Sequence, residues 1–237
     1  MNIIAIGDIH GRDNWQEIVE KEDPDRFVFI GDYFDSREGI PAGEQLENFE
    51  KLIALKKERP AQVILLIGNH DYHYLDDAGQ FSFSYQFSEA PKIKAMLQPA
   101  VEEGLLQMCY THKKMVFTHA GITRTWAEAN NIDMENLQES VNTLFERKPY
   151  AFKFNPGELQ DSSGDETCQT PIWVRPNSLQ KDGLEGWVQI VGHTIQYEIT
   201  CVDDLYLIDT LGTSGQYLCW EANDFSIKTI SAATSNR

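Results

Sequence analysis

Basic side chains are scarce in this sequence: 20 Lys and Arg stand against 37 Asp and Glu over 237 residues, a formal net charge of −17. A surface of that sign repels a polyphosphate backbone and an anionic bilayer, which argues against bulk nucleic-acid binding and against membrane attachment. It leaves a phosphorylated substrate open, because a bound divalent cation reverses the field locally. Cysteine is also sparse. Cys109, Cys168, Cys201 and Cys219 form no CxxC pair and no disulfide-like framework, so free, mostly buried thiols in a reducing compartment, hence a cytoplasmic protein, are expected. Long apolar runs are missing, since none approaches the roughly 20 residues that span a bilayer. The start of the chain lacks the basic-then-apolar order of a signal peptide.

What is present reads as an ordinary globular chain, 41% hydrophobic and 24% charged, long enough to bury a sizeable core. Apolar runs at Asn2 to Ile6, Phe27 to Ile30 and Gln62 to Ile67 read as buried strands. Between them, Trp15, Ile18 and Val19 and then Leu46, Phe49, Leu52, Ile53 and Leu55 recur at near-helical spacing. The pattern is β-α-β-α-β, an α/β layered fold. Residues 72–90, rich in Tyr, Phe, Ser and Asp, are expected as a long loop bordering the site. Helices are expected over Pro91 to Leu97 and Pro99 to Glu103, and strands over Leu105 to Thr111 and Lys114 to Thr118. Residues 149–186 look least regular. Four short alternating segments after Trp187 to Val191 read as antiparallel strands, and the tail from Ser231 as loose. No linker or repeat divides residues 1–237, so a single domain is expected.

The chemistry concentrates where the strands end. The polar side chains there are Asp8 and His10, Asp32 and Asp35, Asn69 and His70, and His193, each set following a Gly, with His119 just before Ala120-Gly121. Histidine is rare, six in the chain, yet four fall in these motifs, which random scatter would seldom produce. Strand ends of this kind are where open α/β sheets place ligands. Carboxylate, amide and imidazole donors without thiolate suit Mn²⁺, Fe or Zn²⁺ in a hydrolytic site. A carboxylate shared by two ions is the usual device of two-metal phosphoryl chemistry. Taken singly, Asp8 or Asn69 could equally be a turn residue.

Five blocks in order, Gly7-Asp8-Ile9-His10-Gly11, Gly31-Asp32-Tyr33-Phe34-Asp35, Gly68-Asn69-His70-Asp71, Thr118-His119-Ala120-Gly121 and Gly192-His193-Thr194, resemble the calcineurin-like metallophosphoesterases, and most closely their phosphoprotein-phosphatase branch. The resemblance implies a four-layer α-β-β-α sandwich of two mixed sheets flanked by helices, with two divalent ions at one edge, Mn²⁺ foremost and Fe or Zn²⁺ as alternatives. It implies Asp8, His10 and Asp32 on one metal and Asp32, Asn69, His119 and His193 on the other. It further implies in-line attack by a metal-bridging hydroxide, with His70 as general acid and Asp35 holding it. One motif departs from the family: Asp35-Ser36-Arg37-Glu38-Gly39 replaces the usual Asp-Arg-Gly. The phosphate-binding Arg is then either displaced by one residue, with Arg37 binding phosphate from the shifted position, or absent, and Arg175 and Asn69 are the other expected phosphate contacts.

The function so implied is a metal-dependent phosphatase acting on phosphate monoesters, with phosphoserine or phosphothreonine in proteins as candidate substrates. The aromatic stretch holding Tyr72, Tyr74, Phe81, Phe83, Tyr85 and Phe87 reads most plainly as packing of a long loop, and through base stacking it also suggests an alternative, a dinucleoside polyphosphate hydrolase or a nucleotide or nucleic-acid phosphoesterase. A non-catalytic metal-holding module is the contrasting class, and the intact ligand set weighs against it. His73 and His112 are given no role: His73 follows the site loop within reach of substrate, a solvated loop position being the plainer expectation, and His112 is expected in a polar turn with Lys113-Lys114.

Overall fold

A computed structural model describes residues 1–75, 84–158 and 161–230. The first half winds as β1 (Ile3–Ile6), α1 (Trp15–Lys21), β2 (Arg26–Phe29), α2 (Ala42–Glu58), β3 (Val63–Leu66), α3 (Asn69–Leu75), α4 (Ala90–Glu102) and β4 (Leu106–Gln107). The second half follows with β5 (Tyr110–His112), β6 (Met115–Phe117), α5 (Arg124–Ala129), α6 (Leu137–Arg147), a 3-10 turn (Pro149–Phe152) and α7 (Pro176–Asp182). It closes with β7 (Val188–Val191), β8 (Thr200–Val202), β9 (Leu205–Leu207), β10 (Gln216–Glu221) and β11 (Asp224–Thr229). One sheet runs β11-β10-β1-β2-β3-β4 and the other β5-β6-β7-β9-β8. Both are mixed. Strands β1 to β4 are parallel in the first, and β6, β7 and β9 are parallel in the second.

The apolar strands are continuous because both their faces are covered. Ile4, Ile6, Phe27, Phe29, Val63 and Leu65 face the helices and pack with Trp15, Ile18, Phe49, Leu52, Ile93 and Leu97. Their neighbours Ile3, Ala5, Val28, Ile30, Ile64 and Leu66 face the second sheet and meet Tyr110, Phe117, Ile190, Ile208 and Trp220. A one-residue slip of any central strand would exchange the two sets. Each fully buried Ile, Val, Leu or Phe contributes about 1.5–3 kcal/mol, so the register is strongly held. A smaller cluster, with Leu179 of α7 against Val191, Leu205 and Leu207, covers the outer face of the second sheet. The four layers expected from the sequence resemblance are present.

Several local expectations are corrected. The run from Leu105 to Thr111 is two strands in different sheets. The chain crosses between sheets at Met108 and Cys109, whose backbone amides donate to Asn142 Oδ1 at 2.9 and 3.0 Å. The two helices expected around Pro99 are one, α4, with Ile93, Leu97 and Ala100 buried along one side. Helix α6 begins at Leu137, after a turn in which Asp133 Oδ1 accepts from Glu135 N. Thr123 caps α5, its Oγ1 accepting from Trp126 N at 3.1 Å. Of the four thiols, all free, Cys109 and Cys219 are buried while Cys201 is exposed. No described helix is long and apolar enough to cross a membrane.

Candidate metal centre

The carboxyl ends of the parallel strands of both sheets open on one edge. Asp8, Asp32 and Asn69 follow β1, β2 and β3; His119 and His193 follow β6 and β7. The turns that carry them are tight. His10, Asp32, Asp35 and His193, with φ of 46°, 53°, 62° and 62°, are four of the nine non-glycine residues at positive φ among the described residues. Such conformations cost of order 1–3 kcal/mol each and cluster where geometry is imposed by the surroundings. Two glycines admit the carboxylates. A Cβ at Gly192 would overlap Asp8 Oδ1, and one at Gly68 would overlap Asp32 Oδ1.

All six expected ligands converge and are buried. His10 Nε2 lies 3.6 Å from Asp32 Oδ2 and 4.0 Å from Asp8 Oδ2. His119 Nε2 lies 3.4 Å from Asp32 Oδ2 and 2.9 Å from Asn69 Oδ1. His193 Nδ1 lies 2.8 Å from the same amide oxygen. The ligating atoms of Asp8, Asp32 and His119 all fall within 4.8 Å of one another.

The rings are held in a defined tautomer. A carbonyl can only accept, so the nitrogen facing it must carry the proton. His10 Nδ1 donates to Phe34 O at 2.8 Å, His119 Nδ1 to Ile30 O at 3.0 Å, and His193 Nε2 to Trp173 O at 3.0 Å. The other nitrogen, with its lone pair, faces the carboxylates in His10 and His119 and the Asn69 amide oxygen in His193. This outer support is what orients metal-bound imidazoles. Burial lowers all three: His10 to about 4, His119 below its ordinary value, and His193 well below it, with Arg175 adding to the effect. They are neutral donors. Burial pushes Asp32 up, but His119, His70 and His10 outweigh it and hold that carboxyl well below the usual range. Asp8 is raised by burial, then by Asp209 and Asp32, which outweigh the His193 backbone amide and the charge of Arg12. The donor set fits divalent cations.

His70 differs from its neighbours. Burial opposes its protonation, but Asp32 and the hydrogen bond to Asp35 raise its pKa above the ordinary value. Its Nδ1 donates to Asp35 Oδ2 at 2.7 Å. Asp35, wholly buried, also accepts from the Tyr74 hydroxyl and from Gln86 Nε2. Of these four imidazoles, His70 is the one whose surroundings favour the protonated form.

Arg175 donates from Nε to Ser163 O at 2.9 Å and from Nη1 to Thr194 Oγ1 at 3.1 Å and His193 O at 3.2 Å. Arg37 is exposed and makes no hydrogen bond or ion pair among the described residues, yet its charge reaches both His70 and Arg175. Both guanidiniums therefore border the site.

Sequence reasoning missed several participants. Asp71 of α3 accepts the backbone amides of Asp32, Tyr33 and Gly68 at 2.8, 2.8 and 2.9 Å, tying the Asp32 turn to the Asn69 helix. Asp209, after β9, escaped because no glycine precedes it. His73 is buried on α3, its ring 5.9 Å from that of His70 and 5.2 Å from Trp173, not solvated as expected. His112 ends β5 and packs edge-on against Trp220. The aromatic stretch is only partly a loop: Tyr72 and Tyr74 sit on α3 and are buried, and Tyr85 stacks on Tyr74 at 4.5 Å. Phe81 and Phe83 lie outside the described residues.

The family model for calcineurin-like phosphoesterases matches residues 1–197. Among solved structures, a cold-active protein-tyrosine phosphatase of the psychrophile Shewanella sp. matches at TM-score 0.64 and 18% identity, over 97% of this chain and 80% of that one. A protein serine/threonine phosphatase of Saccharomyces cerevisiae matches at TM-score 0.60 and 14% identity, over 98% and 80%. At such identities these likenesses establish the fold. No curated protein matches the chain in sequence.

Proposed function

Because the chain belongs to the calcineurin-like phosphoesterase family, with a candidate metal site of Asp8, Asp32 and His119, we propose that it is a dinuclear-metal phosphatase hydrolysing phosphate monoesters, phosphoserine and phosphothreonine in proteins foremost. One observation carries this: three buried imidazoles whose outer nitrogens are each tied to a backbone carbonyl turn their free nitrogens onto two carboxylates and one amide oxygen. Asp8, His10 and Asp32 would hold one ion, and Asp32, Asn69, His119 and His193 the other. Mn²⁺ is the proposed ion, with Fe or Zn²⁺ compatible with the same donors. When bound, two such cations neutralise phosphate charge and lower the pKa of water enough to supply a nucleophile near neutral pH.

The protein's own groups do the rest. His70, protonated and fixed by Asp35, delivers its Nε2 proton to the leaving oxygen. Arg175, oriented by Ser163 O and Thr194 Oγ1, and Arg37 hold the phosphoryl oxygens, as planar guanidiniums do well. Asn69 Nδ2 donates to no described residue and is available to the same oxygens. The nucleotide alternative loses support, since Tyr72, Tyr74 and Tyr85 are engaged in packing.

The test is a panel of phosphoseryl and phosphothreonyl proteins, phosphotyrosyl peptide, diadenosine tetraphosphate, cyclic nucleotides and 3′-phosphorylated oligonucleotides, each with and without Mn²⁺. Turnover fastest on the phosphoseryl or phosphothreonyl proteins supports the proposal. Preference for a nucleotide overturns the substrate class, and no turnover on any member overturns catalysis.

A further inference from the structure

One buried carboxylate at the same edge has no role in the donor set above. Asp209 follows β9 as His193 follows β7, two residues past the strand. It is 4% exposed, and its Oδ2 has no hydrogen-bond partner among the described residues. Its Cα would stand 3.1 Å from a Cβ placed on Gly7, the residue before Asp8, and its charge acts on the Asp8 carboxyl. The backbone fixes it there: Asp209 O accepts from Gln196 N at 2.9 Å, and a Cβ at Gly7 would strike Ile208 O, so the β1 and β9 ends touch.

Such an arrangement is costly unless positive charge is supplied, because burying an unpaired carboxylate beside two others adds repulsion to desolvation. Arg12, whose charge reaches Asp209, is bonded to other groups. Its Nε and Nη2 bind Glu38 Oε1 at 2.8 and 2.7 Å, and its Nη1 donates to Asp8 O and Ile9 O, both at 3.3 Å. No described side chain donates to Asp209 Oδ2. Asp209 also stands outside the group of Asp8, Asp32 and His119, whose ligating atoms share a 4.8 Å neighbourhood. Its contact with the centre therefore runs through Asp8.

We propose that Asp209 is a positioning residue of the metal centre, set behind Asp8, whose negative charge would strengthen the hold of Asp8 and His10 on a cation. Outer carboxylates of this kind set metal affinity, typically by 10–100-fold. The proposal rests on the dinuclear reading given above.

The test titrates Mn²⁺ into metal-free wild type, Asp209→Asn and Asp209→Glu by calorimetry, with bound metal counted by elemental analysis and folding followed by circular dichroism. Wild type should take up two ions. Asp209→Asn should bind one ion as wild type does and the other about 10–100-fold more weakly, and Asp209→Glu, which keeps the charge, should recover part of the loss. Metal-free Asp209→Asn should melt no lower than wild type, since a like-charge contact is removed. Should it fail to fold, Asp209→Ser is read the same way. Two ions bound with unchanged affinity, or both weakened equally with a lower melting temperature, would overturn the role of Asp209 and leave the dinuclear centre standing. Fewer than two ions on wild type would overturn both.

Discussion

Replacing Asp71 by Asn keeps the shape of the side chain and removes its charge, and the structure sets the consequence. Asp71 is wholly buried. Its Oδ2 receives the Asp32 and Gly68 amides and its Oδ1 the Tyr33 amide. An Asn can keep one oxygen on the Asp32 and Gly68 pair, but its NH₂ then opposes the Tyr33 N–H. Two charge-assisted bonds become neutral ones, at about 1 kcal/mol each, and one buried donor loses its acceptor, at about 1–3 kcal/mol. Relief of repulsion between Asp71 and Asp32 offsets part of this. A net loss of about 3 kcal/mol corresponds to a melting temperature lower by roughly 6–12 °C in a chain of this size. Thermal and urea unfolding of the metal-free protein measure it. The same variant should weaken Mn²⁺ binding, since the Asp32 turn, at φ 53°, is held by those bonds. A change under about 1 kcal/mol would refute the view that this carboxylate fastens the two ligand-bearing segments together.

Three further outcomes are expected. His70→Ala should slow turnover of phenyl phosphate by about 10²–10⁴-fold and that of p-nitrophenyl phosphate, a better leaving group, far less; equal losses would remove His70 from the acid role. His70 has a raised pKa in the metal-free fold, so its contribution to stability is full below its unfolded pKa, about 6.5, and is lost as pH rises through the higher folded value. Urea unfolding of wild type and His70→Ala should therefore differ more at pH 5.5 than at pH 9, and a gap independent of pH would contradict the assignment. Arg175→Met should raise KM for phosphate monoesters roughly 10-fold or more, as loss of a charge-assisted clamp implies, without displacing bound Mn²⁺; an unchanged KM would place the guanidinium in a purely structural role with Ser163 and Thr194.

Much of this was legible in the sequence because strand and ligand signals coincided. β1, β2 and β3 are apolar on both faces, so they stand out as unbroken runs, and Gly7, Gly31 and Gly68 punctuate them just before Asp8, Asp32 and Asn69. Glycine was the useful marker where backbone approaches a carboxylate, as at Gly68 and Gly192. It failed at Asp209, which reaches the same edge behind Ile208 and carries no such mark. The change of sheet at Met108 was hidden for a related reason. A strand that switches sheets keeps its apolar alternation, and the device that turns it, Asn142, lies on a helix over thirty residues away. His73 was misjudged because its neighbours are polar and aromatic, whereas its burial is set by Trp173, from a distant segment.

The most direct measurement is hydrolysis of p-nitrophenyl phosphate by protein stripped with chelator and then titrated with Mn²⁺. Stripped protein should be inactive, and activity should return to a plateau at two equivalents, with Asp32→Ala remaining inactive throughout. Full activity in the stripped protein, or Asp32→Ala regaining the wild-type plateau, would contradict the account.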